Sequence, residues 1–290
     1  MKTKKILRYV SVAILLIFHF AYTDVKNNDV VMSSDGVEIS FGIKGEGKPA
    51  IIFIHGWTNP RTIWEDQMEY FSKDYTAIAI DLPASGKSGH NRSNWSMEVF
   101  GNDVISVMDK LEIDQAVLVG FSMGAMVAVE TANNFPDRVI GVVSVDELKF
   151  PYMQIPEEMI PTMVEGAMGL VTAGMTNENL VAGGFYKRNH EASFARITKL
   201  YEGASNVGWR ESLEGALNWM SKKQKTRLQN LKVPYVGIYS DKEPFEMDSI
   251  KAYVPSFKGK IIANTGHLVF WDDPKAFNTQ LETYISEFGE

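Results

Sequence analysis

The sequence GFSMG at residues 120–124 decides how this 290-residue chain is interpreted. It forms a G-x-S-x-G pattern between the apolar run 116–120 (AVLVG) and residues 123–134, which are rich in Ala, Val and Met. In that context the pattern is typical of a sharp strand-to-helix turn that exposes a serine hydroxyl. The flanking positions must be small, because such a turn presses the strand against the helix. We therefore predict that Ser122 is a nucleophile; the alternative is an ordinary glycine-rich turn.

Outside this motif, short apolar runs alternate with amphipathic segments. Strands are predicted at residues 30–33, 38–43, 50–54, 76–80, 116–120, 140–145, 235–239 and 260–263. The central runs are continuously apolar and rich in Val and Ile, which is typical of parallel strands buried on both faces. Helical spacing of apolar residues predicts helices at 97–111 and 123–134. The alternation predicts an α/β fold with a mostly parallel central sheet flanked by helices.

The alternation stops between residues 147 and 230, where the pattern is helical only. We predict that residues 24–146 and 231–290 form the two parts of one α/β core and that 147–230 is an inserted helical cap. The cap is rich in methionine and also contains Phe150, Tyr152, Phe185 and Tyr186. These side chains either line an apolar acyl pocket under a mobile lid or form the packing core of the cap.

The N-terminal residues have the pattern of a secretory signal peptide. Residues 1–8 contain four basic and no acidic side chains, and residues 9–20 form an apolar run that is too short to span a membrane. The small residues Ala21 and Thr23 suit a cleavage site. We predict that residues 1–23 are removed and that the protein is periplasmic or secreted, with no stable membrane span afterwards. An uncleaved membrane anchor is the alternative.

Composition argues against several other classes of function. The chain has no cysteine, which excludes thiol nucleophiles, disulfides and cysteine-based metal sites. Its five histidines are scattered without ligand spacing, so no metal is expected. A net charge of −7 argues against nucleic acid as a partner, because a general binder needs a basic surface. Gly86-Lys87-Ser88 imitates the end of a phosphate-binding loop, but Asp81 stands where that loop begins with glycine, and no cofactor is expected.

Three further motifs, taken together with GFSMG, make the chain similar to the α/β-hydrolase fold family. They are HGW at 55–57, DLPASGKS at 81–88 and FPDRV at 135–139. The resemblance covers residues 30–145 and 233–288. It implies an α/β-hydrolase fold and a catalytic triad of serine, histidine and an acid.

A nucleophilic serine needs a general base, because a free hydroxyl hardly ionises at neutral pH. The candidate is His267, in the sequence NTGHL at 264–268 just beyond the last predicted strand, and the family keeps its base in such a loop. The alternative is a loop histidine with only a structural hydrogen bond. His55 is expected to brace the oxyanion loop, and His90 and His190 are expected at the surface.

The triad acid must accept a hydrogen bond from the second nitrogen of the base. The family normally supplies it after the seventh strand, and aligning this chain on Pro234 and Pro244 places Glu243 at that position. Asp146, directly after the sixth predicted strand, is the second candidate because some members carry the acid there. Asp241 is the third.

The resemblance also implies an oxyanion hole formed by the backbone N–H groups of Trp57 and Met123. Together with Ser122, His267 and Glu243, it predicts a serine hydrolase that cleaves a small-molecule carboxylic ester with an apolar acyl part through an acyl-enzyme. Thioesters, lactones, amides and C–C bonds are alternative substrates of the same machinery. A non-catalytic small-molecule receptor that retains the fold is the alternative from another class.

Overall fold

The computed structural model describes residues 29–152, 154–173, 191–201 and 207–289. The predicted signal peptide, residues 1–23, lies outside these ranges, and so do Phe185, Tyr186 and His190. Within the described ranges, no helix is both long enough and apolar enough to cross a membrane.

An eight-stranded sheet with the order β1-β2-β4-β3-β5-β6-β7-β8 forms the centre of the fold. Its strands are β1 Asp29–Met32, β2 Glu38–Lys44, β3 Ala50–Ile54, β4 Thr76–Ile80, β5 Ala116–Phe121, β6 Val139–Val145, β7 Tyr235–Ser240 and β8 Lys258–Ile262. β1 and β2 are antiparallel to their neighbours, and β3 to β8 are all parallel. The predicted mostly parallel sheet is confirmed.

Helices connect the strands and cover the sheet. They are α1 Glu65–Phe71, α2 Met97–Lys110, α3 Met123–Asn134, α4 Ile160–Thr172, α5 Glu191–Tyr201, α6 Trp209–Lys222, α7 Gln224–Gln229, α8 Met247–Lys251, α9 Val269–Asp272 and α10 Pro274–Phe288. The described part of the segment between β6 and β7 contains α4 to α7 and a short 3-10 turn, and no strand.

The core occupies both faces of the sheet. Every residue of β3 and of β5 is buried. Ile52 and Ile54 pack into the core on one face, while Ile51 and Phe53 pack into the core on the other. Because successive side chains of a strand point to opposite faces, only a continuously apolar strand fills both cores. This confirms the interpretation of the apolar runs as doubly buried parallel strands.

The last strand differs from its prediction. β8 begins at Lys258 and ends at Ile262, whereas the sequence predicted residues 260–263. It lies at the edge of the sheet, and its first four residues are exposed or half-buried. A strand with solvent on one side needs no continuous apolar run, so its start is not marked in the sequence.

The parallel strands bring several of the candidate catalytic residues to the same end of the sheet, where the strands have their carboxyl ends. Ser122 follows β5, Asp146 follows β6, and His267 lies between β8 and α9. Because these strands are parallel, their carboxyl ends meet at the same edge, where ligands bind in open α/β sheets.

Candidate active site

Ser122 occupies a strained turn between β5 and α3. Its φ of 50° and ψ of −124° lie in a region that residues with a side chain rarely adopt. The turn is held by hydrogen bonds at both ends: the Ser122 amide donates to the carbonyl of Val145 at 3.1 Å, and the amide of Ala125 donates to the carbonyl of Ser122 at 2.8 Å. The serine therefore stands at the N-terminus of α3, where unpaired amides favour negative charge.

The two glycines of the motif are required by close backbone contacts. A Cβ on Gly120 would lie 2.3 Å from the carbonyl oxygen of Gly124, and a Cβ on Gly124 would lie 2.4 Å from the carbonyl oxygen of Ile54. Backbone atoms cannot move away as a flexible side chain can. The predicted requirement for small residues at both positions is confirmed.

His267 hydrogen-bonds to the carboxylate of Asp146. The distance between His267 Nδ1 and Asp146 Oδ2 is 2.7 Å, and Asp146 is buried. The other oxygen, Oδ1, accepts hydrogen bonds from the backbone N–H and the hydroxyl of Ser240, both at 2.8 Å. Burial by itself raises the pKa of this carboxyl, but the hydrogen bond to His267 and the charge of Lys149 outweigh it, so the pKa of Asp146 lies below its usual value. Asp146 therefore remains ionised at neutral pH.

This geometry corrects the preference for Glu243 as the partner of His267. The Glu243 carboxylate lies 3.0 Å from Lys149 Nζ and 3.3 Å from Lys242 Nζ, and its side chain is 41% exposed. Counting residues between two prolines placed Glu243 correctly in the loop after β7, but the position beside His267 is filled from the end of β6. Asp241, the third candidate, accepts a hydrogen bond from the backbone N–H of Thr265 at 3.2 Å.

Lys149 is a buried charged neighbour of Asp146 that was not among the residues predicted from the sequence. Its Nζ lies 2.9 Å from Asp146 Oδ1 and 3.0 Å from Glu243 Oε1, and the side chain is only 3% exposed. Burial alone lowers the pKa of a lysine, but the neighbouring carboxylates of Asp146 and Glu243 raise the pKa of Lys149 above its usual value. Lys149 is therefore charged. The only signal in the sequence was its position three residues after Asp146.

The loop after β3 is braced by His55, as predicted. The backbone N–H of Leu82 donates to His55 Nε2 at 2.8 Å, so Nδ1 carries the proton that binds the carbonyl of Gly56 at 2.7 Å. Burial lowers the pKa of His55, which keeps it neutral. This neutral ring holds the loop that presents Trp57, one of the two predicted oxyanion donors. The exposed His90 agrees with its predicted surface position.

Ser122, His267, Trp57 and Met123 line one cavity of about 230 Å³. The Phe121 ring packs against the imidazole of His267, with 4.6 Å between ring centroids. The rest of the lining comes mainly from apolar side chains on α3 and on helices of the segment between β6 and β7: Met126, Ala167, Ile197, Leu213, Ala216, Leu217 and Met220. The predicted cap therefore supplies much of the wall opposite the serine.

The site contains a side chain that can act as a nucleophile, Ser122, and one that can act as a base, His267. Among the residues that the structure describes, no group of three or more His, Asp or Glu side chains is arranged to hold a metal ion. What the residues can do is transfer a proton from a serine hydroxyl and stabilise negative charge at the start of α3.

Comparison with known proteins agrees with this fold. The family described as alpha/beta hydrolase fold matches residues 49–274. The chain is 32% identical over 116 residues to the dihydrolipoyllysine-residue acetyltransferase component of the acetoin cleaving system of Cupriavidus necator, covering 40% of this chain and 31% of that protein. It is 29% identical over 128 residues to 3-oxoadipate enol-lactonase 2 of Acinetobacter baylyi, covering 44% of this chain and 45% of that protein. The matched regions span less than half of either relative.

A solved structure of an esterase from Exiguobacterium antarcticum has a TM-score of 0.75 to this chain at 19% identity, covering 89% of this chain and 98% of that one. At this identity the similarity concerns the fold. Since the family match includes most of the chain, the protein belongs to the alpha/beta hydrolase fold family.

Proposed function

We propose that this member of the alpha/beta hydrolase fold family is a serine hydrolase that cleaves carboxylic esters through a covalent acyl-enzyme. The observation that carries the proposal is the 2.7 Å hydrogen bond between His267 Nδ1 and the buried Asp146 carboxylate, beside a cavity that also contains Ser122. A base oriented by a buried acid and sharing a cavity with a strained serine fits the arrangement that activates a hydroxyl nucleophile.

In the proposed mechanism, the Oγ atom of Ser122 attacks the ester carbonyl carbon while Nε2 of His267 accepts its proton. Asp146 accepts the hydrogen bond of the Nδ1 proton, which fixes the tautomer and stabilises the imidazolium. The backbone N–H groups of Trp57 and Met123 bind the oxygen that becomes negative. His267 then protonates the leaving alcohol, and a water activated by the same histidine releases the acid.

The cavity supports an apolar acyl group of short or medium length. Side chains such as Leu213, Leu217 and Met220 on α6 offer dispersion contacts but few hydrogen bonds, so they favour hydrocarbon over sugar or peptide groups. Esters and lactones share the required carbonyl. The enol-lactonase and esterase named above agree with this class of substrate.

Labelling with a fluorophosphonate probe tests the proposal, because the probe reacts much faster with an activated serine than with an ordinary one. We expect the wild type to be labelled and the Ser122→Ala and His267→Ala variants to lose the labelling. Ser106→Ala is a matched control: Ser106 lies on α2, where its hydroxyl binds the carbonyl of Asn102. Labelling that persists in Ser122→Ala, or a wild type that is never labelled, would contradict the proposal and favour a non-catalytic receptor.

A hydrolysis screen tests the substrate class. We expect turnover of p-nitrophenyl esters to peak at short or medium acyl chains and to fall for long ones, with a lactone as a second substrate. A preference for a peptide-like amide over every ester would contradict this assignment.

A further inference from the structure

We infer that Lys149 and Glu243 set the pH range in which the enzyme works, through the charges that they place beside the Asp146 carboxylate bound to His267. This inference rests on the proposed function. His267, Asp146, Lys149 and Glu243 form a row of four ionisable groups, called here the charge chain, in which each group contacts the next. Lys149 and Glu243 act as positioning residues, since their effect on the reacting atoms passes through another side chain.

The contacts along the charge chain alternate in sign. Asp146 binds His267 with Oδ2 at 2.7 Å and Lys149 with Oδ1 at 2.9 Å. Lys149 Nζ then contacts Glu243 at 3.0 Å, and Glu243 contacts the partly exposed Lys242 at 3.3 Å. The anion that stabilises protonated His267 is thus opposed by a buried cation, and that cation is opposed by a second anion.

The Asp146 carboxylate has hydrogen-bond partners besides Lys149 on both of its oxygens. The backbone N–H and the hydroxyl of Ser240 already donate to Oδ1, both at 2.8 Å, and His267 binds Oδ2. The addition that Lys149 makes to this set is a positive charge. Because the side chain is almost fully buried, water screens that charge less than it would at the surface.

The direction of each effect follows from the charges. A positive charge beside Asp146 disfavours the imidazolium, so removing it in Lys149→Met moves the acidic limb of the activity profile to higher pH. The negative charge of Glu243 partly offsets that of Lys149, so Glu243→Gln moves the acidic limb to lower pH. Two substitutions in one ion pair therefore shift the profile in opposite directions, which loss of structure alone does not predict.

Other charged groups surround His267 from neighbouring elements. Asp272 of α9 accepts a hydrogen bond from the backbone N–H of Gly266 at 2.7 Å. Asp241, after β7, binds the backbone N–H of Thr265, and Glu147, after β6, lines the same cavity. These carboxylates stay unchanged in both variants, so their charges are common to all pH profiles compared.

The test is the pH dependence of kcat/KM for a short-chain ester, together with the pH dependence of the fluorophosphonate labelling rate. Activity requires an unprotonated base, so it falls at acidic pH, and the midpoint of the fall depends on how strongly the neighbouring charges stabilise the imidazolium. We expect that midpoint to rise by about one pH unit in Lys149→Met and to fall by roughly half a unit in Glu243→Gln. Lys44→Met and Glu69→Gln, which break an ion pair between β2 and α1, are controls that should not shift it.

Each outcome bears on the inference. A higher midpoint in Lys149→Met together with a lower midpoint in Glu243→Gln supports it, whereas the reverse directions, shifts of the same sign or unshifted midpoints overturn it. If Lys149→Met fails to fold by circular dichroism, Glu243→Gln decides alone: a lower midpoint supports the inference, and an unchanged or higher one overturns it. A wild type that the probe does not label would overturn the proposed function as well, whereas a labelled wild type with unshifted variants would overturn only the tuning.

Discussion

Two turns at the carboxyl ends of the parallel strands place Ser122 and Asp146. Only the turn at Ser122 is recognisable in the sequence. Ser122 after β5 and Asp146 after β6 both have a positive φ, 50° and 52° respectively. The first turn is flanked by glycines because backbone atoms crowd it on both sides. The second turn continues with Glu147 and Leu148, and Leu148 also has a positive φ, of 61°. Crowded backbone leaves a motif in the sequence, whereas a side chain placed by hydrogen bonds does not.

Substitutions at the second turn, which carries no motif, test whether Asp146 rather than Glu243 orients His267. If Asp146 orients the base, Asp146→Asn lowers kcat on the order of 10⁴-fold, because an amide does not stabilise the imidazolium and favours the wrong tautomer. Glu243→Gln changes kcat by less than about tenfold, since Glu243 contacts Lys149 rather than His267. Steady-state kinetics with a short-chain ester measures both. A collapse in Glu243→Gln with activity retained in Asp146→Asn would reverse the assignment.

The crowding at the first turn can be tested by stability alone. In Gly124→Ala the new Cβ meets the carbonyl oxygen of Ile54 at 2.4 Å, and we expect a loss of about 3 kcal/mol in the free energy of unfolding. Gly169→Ala in α4 is the matched control, because in the described part of the chain no atom outside its own helix backbone and chain neighbours lies within 4 Å of its added Cβ. There we expect a gain of about 0.5–1 kcal/mol from helix propensity. Urea denaturation measures both; equal effects would show that crowding is not what selects glycine.

The hydrogen bonds that hold Asp146 at the second turn can be removed one at a time. Ser240→Ala removes one donor to Asp146 Oδ1 but leaves the backbone N–H of the same residue in place. Losing one such hydrogen bond corresponds to a decrease of up to about tenfold in kcat/KM. Ser106→Ala serves again as the control. A loss as large as that of Asp146→Asn would mean that the hydroxyl, rather than the set of donors, holds the carboxylate.

The parts of the fold that could be predicted are those with a strict packing requirement. Doubly buried strands such as Ala50–Ile54 need apolar side chains on both faces, so their sequence is distinctive. The glycine-flanked Ser122 and the Gly-His pair at His267 are equally recognisable. The edge strand β8 faces solvent, and its first residues were missed.

The parts of the site that could not be predicted depend on contacts between distant segments. Asp146 and Glu243 follow neighbouring strands, and the sequence does not show which carboxylate turns toward His267. Lysine is rarely buried, so the sequence gave no reason to expect that Lys149 would be almost fully enclosed. Its burial becomes reasonable only when the carboxylates on either side are known.

The crowding around Gly124 has a consequence for how this enzyme can diversify. The first turn of α3 abuts the carbonyl groups of Ile54 and His55, so the helix behind Ser122 and the loop that leads to Trp57 pack backbone against backbone. Substitutions in α4 to α6 can change the apolar wall of the cavity without touching that contact. The lining of the cavity can therefore diversify in one part of the chain while the turn that carries Ser122 is conserved by its packing in another.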